Sequence, residues 1–137
     1  MRKRLLGTIL GTVVTLAALL VAPGPAQAAS GGGCTGAYPI SSCISYQGSN
    51  QTVVGDFYMN ATPDQSRCTA YLQLRTTNNG NTSWIYYDLS RTGRFGPISR
   101  NVNVMNNFKG SAVAVVEVYT CSGTLHGIFT SPRVYYP

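Results

Sequence analysis

Past residue 37 the chain alternates short apolar runs with polar punctuation, at a spacing that fits strands rather than helices. In the stretch 68–76, Cys68, Ala70, Leu72 and Leu74 alternate with Thr69, Tyr71, Gln73 and Arg75. Val102 and Val104 likewise alternate with Asn101 and Asn103. A two-residue period turns one set to a core and the other to water. Runs rich in Val, Ile, Tyr and Thr predict strands at 43–47, 52–60, 68–76, 83–89, 98–105, 112–121 and 125–130, with a short last run at 134–136. The stretch Ala112 to Val118 offers no polar position before Glu117, which predicts a central strand covered on both faces.

The punctuation is turn chemistry. Asn78-Asn79-Gly80-Asn81, Asn106-Asn107-Phe108-Lys109-Gly110 and Cys121-Ser122-Gly123-Thr124 supply residues that tolerate positive φ between adjacent runs. No long helical period, heptad or internal repeat interrupts the pattern. The expected fold is therefore all-β: a small antiparallel β-sandwich of about seven strands, with a barrel-like closure as the other way to join the same strands.

The first thirty residues read differently. Arg2, Lys3 and Arg4 precede an apolar run from about Leu5 to Val21, followed by a small-residue stretch ending Ala26-Gln27-Ala28, which is the order of a secretory signal peptide. Gly7, Thr8, Gly11, Thr12 and Thr15 interrupt the run, and Pro23 and Pro25 break it, so it makes a poor membrane anchor. The expected organisation is a signal peptide at 1–29, a flexible Gly-rich segment at 30–37 and a single β domain at 38–137. The style of the signal is that of a bacterial exporter. With no tandem Arg-Arg pair and no lipobox cysteine, it predicts an extracellular protein released by the general route, with no integral membrane association after cleavage.

That organisation changes the charge argument. The formal net charge is +6, from 10 basic and 4 acidic side chains. Three of the basic ones belong to the signal, so seven against four remain, a net of +3, and they are scattered. A footprint this thin does not favour nucleic acid. Export does give meaning to Cys34, Cys43, Cys68 and Cys121, an even set meeting an oxidising compartment. The favoured pairing is Cys34 with Cys43, closing a short loop, and Cys68 with Cys121, at opposite ends of strands able to lie antiparallel. The second bridge closes about fifty residues, for which chain entropy gives about 4 kcal/mol. With no CxxC pair and a single histidine, a metal site is not expected, and nothing implies a cofactor.

Candidate chemistry is sparse. His126 could meet Glu117 across a hairpin as an acid/base pair with an arginine nearby, which would suit a small ribonuclease-like hydrolase. The plainer reading leaves His126 facing water and Glu117 keeping its strand soluble. Paired carboxylates of the glycosidase type would need two of Asp56, Asp64, Asp88 and Glu117 across a cleft, and Asp64 already has an ordinary role in the turn Thr62-Pro63-Asp64-Gln65. No nucleophile elbow, phosphate loop or calcium loop is present. The matches to the Asn-glycosylation acceptor pattern at Asn50, Asn60 and Asn81 are what an Asn- and Thr-rich chain produces by chance.

Aromatic residues are the stronger signal. Trp84 and Tyr86 share one face of a strand, while Ile85, Tyr87 and Leu89 share the other. If the second set is core, Trp84 and Tyr86 join Tyr71 and Arg75 in a flat outer patch able to stack on a sugar or fill a partner's pocket. The opposite assignment makes Trp84 the core tryptophan. The segment Arg91-Thr92-Gly93-Arg94-Phe95-Gly96-Pro97 reads as a polar loop that could present Arg91, Arg94 and Phe95 to another protein. The leading expectation is a secreted, non-catalytic binding protein using the aromatic face or this basic loop, with a glycan or an extracellular protein as partner. The alternatives are a small hydrolase centred on His126 and Glu117, and an inhibitor presenting Arg94-Phe95 to an enzyme.

Overall fold

The computed structural model describes residues 29–102 and 109–137. The signal segment, the end of the strand expected at 98–105 and most of the Asn106–Gly110 turn lie outside them. Ten strands follow in order: β1 (Ser30–Gly31), β2 (Gly33–Cys34), β3 (Ile40–Gln47), β4 (Thr52–Met59), β5 (Thr69–Thr76), β6 (Ile85–Asp88), β7 (Gly93–Asn101), β8 (Gly110–Tyr119), β9 (Leu125–Thr130) and β10 (Val134–Tyr136). They form two antiparallel sheets rather than a closed barrel: β1-β10-β8-β5-β6, with β9 also on β8, and β2-β3-β4-β7.

The six-stranded sheet is organised by β8. One edge pairs with β5 from Ala112 to Tyr119. Its other edge is shared, because β10 takes Gly110 to Ala112 and β9 takes Val115 to Tyr119. The all-apolar run of β8 is thus central, as its composition predicts. Among the described residues no further sheet or helix packs over its outer face, where Val113 is half-buried and Val115 is buried.

The core fills the space between the inner faces. Ala70, Leu72 and Leu74 of β5 and Ala112, Ala114, Val116 and Val118 of β8 meet Ile40 and Ile44 of β3 and Val53, Phe57 and Met59 of β4. Burying each large aliphatic or aromatic side chain contributes about 1.5–3 kcal/mol. At Gly55 a side chain would run into Leu74 Cδ2 and come within 3.0 Å of Ala114 Cβ, so the missing Cβ sets how closely the sheets approach. Across the same gap the buried Ser42 hydroxyl donates to the Ala114 carbonyl at 3.1 Å, satisfying the polar group that the core encloses.

Both expected disulfides form, Cys34 with Cys43 and Cys68 with Cys121. Cys34 lies directly opposite Cys43 in the β2–β3 pair. Cys68 immediately precedes β5 and Cys121 follows β8 by one residue, so the antiparallel pairing of those strands brings the two together.

Three expectations need correction. The segment 30–37 carries β1 and β2, held against β10 and β3 by backbone pairing, because a short Gly-rich chain can still supply a sheet with donors and acceptors. The strand expected at 83–89 shortens to β6. The polar loop expected at Arg91 to Pro97 is largely strand: β7 begins at Gly93 and pairs with Met59, Tyr58 and Phe57 of β4. Pro97 is accommodated where the β4–β7 register shifts between Gly55 and Phe57, the irregular kind of position at which a strand tolerates proline.

Candidate functional site

The registers arrange the outer face of the six-stranded sheet in rows. Tyr86 of β6 lies opposite Tyr71 of β5, which lies opposite Glu117 of β8, which lies opposite Ile128 of β9. One row along, Asp88, Thr69, Tyr119 and Leu125 align in the same way. Trp84 precedes β6 on the same side. Leu89 is buried and Tyr87 packs edge-on against Phe57, with ring centroids 5.6 Å apart. The inward set is therefore Leu89 and Tyr87, joined by Ile85 at the sheet margin, and Trp84 and Tyr86 are 36% and 54% exposed.

The expected patch of Tyr71, Arg75, Trp84 and Tyr86 does come together. The Arg75 guanidinium stands over the Trp84 ring, 5.6 Å from its centroid, and Arg75 Nε donates to the Gln73 side-chain oxygen at 2.9 Å. The Tyr71 ring meets Tyr86 edge-on at 5.6 Å and Tyr119 edge-on at 5.7 Å. The Tyr119 hydroxyl donates to Glu117 Oε2 at 2.8 Å. That hydrogen bond, with desolvation and the charge of the carboxylate, pushes the Tyr119 phenol above the ordinary tyrosine range. Thr69, Tyr71, Trp84, Glu117, Tyr119 and Gly123 line an open depression of about 540 Å³, the last contributed by the β8–β9 turn.

Tyr119 was not among the candidates read from the sequence, although the signal for it was there. A bridge between Cys68 and Cys121 fixes the β5–β8 register within a residue, and alternation then sets Tyr71, Glu117 and Tyr119 on one face.

The other candidates are placed elsewhere. Ile128, not His126, lies opposite Glu117, and the register shift between Val118 and Tyr119 leaves His126 as the extra residue of a bulge. The Asp64 carboxyl is held below the usual range first by the Ser66 hydroxyl and amide, and then by the nearby charges of Arg67 and, least, His126. Arg94 and Phe95 part company: Arg94 stays exposed at the surface, and Phe95 turns inward. Phe95 is 4% exposed and stacks on Phe57 at 5.1 Å, while Arg94 Nε pairs with Asp56 Oδ2. The Arg91 guanidinium lies 4.1 Å from the Phe95 ring centroid and donates to the Arg94 carbonyl. Once the segment is a strand, alternation obliges Phe95 to enter the core.

Among the described residues no three His, Cys, Asp or Glu side chains converge as metal ligands would, and no helix is long and apolar enough to cross a membrane. Fold and site define a disulfide-braced antiparallel β-sandwich with an aromatic outer sheet face. No family model, curated protein or solved structure matches the chain.

Proposed function

We propose that this is a secreted, non-catalytic binding protein whose recognition surface is the outer face of the six-stranded sheet around Tyr71, Trp84, Tyr86 and Tyr119. One observation carries the reading: four aromatic side chains and a carboxylate gather on a sheet face over which no second layer lies among the described residues. Exposed clustered aromatics on a small domain are the usual mark of an interaction site. The two disulfides are in keeping with an oxidising extracellular setting, and the N-terminal residues supply a secretion signal. The ligand classes that suit such a face are glycans and extracellular proteins. The hydrolase alternative draws less support, since His126 and Glu117 are not opposite each other, and so does the inhibitor alternative, since Phe95 is buried.

The test uses the one tryptophan of the chain. Acrylamide should quench Trp84 efficiently in the oxidised native protein. Trp84→Ala and Tyr86→Ala should each shift the unfolding midpoint by less than about 1 kcal/mol while abolishing retention on cell-wall glycans or on an extracellular partner. A Trp84→Ala protein that unfolds, or that keeps every such interaction, removes this face from consideration.

A further inference from the structure

The outer face is not a uniform platform. A sugar ring stacks best on aromatic rings that share a plane, whereas Tyr71 is inclined at 68° to Tyr86 and 86° to Tyr119. These rings present walls at an angle to one another. Where Tyr71, Trp84 and Tyr119 border the depression, Glu117 is the only charged side chain among the described residues that line it. Among those residues no lysine or arginine lines it, and Arg75 lies beside Trp84 but outside the lining. One carboxylate oxygen, Oε2, accepts from Tyr119, and among the described residues Oε1 makes no hydrogen bond.

Three aromatic rings bordering one carboxylate, with no cationic neighbour in the lining, form a site complementary to an organic cation. Ring faces attract a cation through their quadrupoles, and they do so best when it carries no N–H groups that need water. A primary ammonium keeps N–H groups that need water or acceptors, which in the lining are the Glu117 carboxylate and the Thr69, Tyr71 and Tyr119 hydroxyls; ring faces alone do not satisfy them. A methylated ammonium asks only for ring faces and a counter-charge. The geometry points to a ligand bearing a methylated organic ammonium group, bound in the depression between Tyr71, Trp84 and Tyr119 with Glu117 as its counter-ion. This rests on the outer face being the recognition surface, and it names the chemistry recognised there. Arg75 over Trp84 is an internal instance of the same attraction, a cation resting on this indole.

The test titrates choline into the full-length oxidised protein and follows Trp84 fluorescence, alongside the neutral isostere in which carbon replaces the quaternary nitrogen. The two differ in charge and hardly in shape. Choline should give a saturable change with an affinity at least about tenfold above that of the isostere. Glu117→Gln should remove about that factor for choline and leave the isostere unchanged. Equal binding of the two compounds, or no binding of choline, overturns the inference without needing any variant to fold. If cell-wall glycans shield Trp84 while choline does not, the ammonium site is wrong and the binding face stands. If Trp84→Ala retains every interaction of the protein, both fall.

Discussion

At the residue scale the most informative pair is Tyr119 and Glu117. A phenol that donates to a carboxylate resists ionisation, because the phenolate would lose the bond and gain a like charge. A pKa raised on folding means that the neutral phenol is favoured in the native state. The associated stability is complete below the unfolded tyrosine value of about 10 and is lost as pH rises through the higher native value. Burial raises Tyr87 in the same direction, so stability should decline at alkaline pH. In a titration followed by phenolate absorbance, Glu117→Gln should move one tyrosine back toward the ordinary range; an unchanged curve would mean that the bond does not persist in solution. Alternation alone could tell that Trp84 and Tyr86 share a face with each other and not with Tyr87. Which face was core depended on Phe57 of β4 and Phe95 of β7 in the opposite sheet packing against Tyr87, contacts that no local pattern specifies.

Among the elements, β9 is an exposed edge. It pairs with β8 on one side, no strand among the described residues pairs with its other side, and it carries Leu125 and Ile128, 47% and 56% exposed, on the outer face. β8, flanked by β5 on one edge and by β9 and β10 on the other, is the most enclosed strand. Amide exchange should therefore rank them: slowest in Val113 to Val118, and much faster at those amides of Leu125 to Thr130 that point away from β8. Protection of both rows in β9 would reveal a partner on that edge. Strand existence was legible from period-two patterning for β5, from an unbroken apolar run for β8, and from β-branched and aromatic composition between turn signals for β3, β4 and β9. It was illegible for Arg91 to Pro97, where two glycines, a proline and two arginines imitate a loop. Pairing with β4, the stacking of Phe95 on Phe57 and the Asp56–Arg94 ion pair outweigh that local preference.

For the molecule as a whole, the two bridges do unequal work. Cys68–Cys121 spans 53 residues and Cys34–Cys43 spans 9. Chain entropy assigns them about 4 and about 3 kcal/mol respectively. The longer bridge also ties together the ends of β5 and β8, which carry Tyr71 and Tyr119, whereas the shorter one fastens β2 to β3 in the other sheet. Replacing Cys68 and Cys121 by serine should lower the urea midpoint more than replacing Cys34 and Cys43, and should also weaken any ligand of the Trp84 face. The reverse order would show that the N-terminal clip, not the central β5–β8 pair, limits unfolding.

The sequence by itself determined the fold class and the strand-rich organisation, and it favoured the cysteine pairing that forms. These follow from local periodicity, turn chemistry and the placement of the cysteines, which act over a few residues or through a covalent bond. Only the tertiary structure decided that Trp84 faces outward in the company of Tyr71, Arg75 and Tyr86, that Ile128 rather than His126 lies opposite Glu117, that Phe95 is core, and that Tyr119 completes a carboxylate-centred site. Each of those depends on register between strands distant in sequence, and shifting a strand by one residue exchanges every side chain between core and surface.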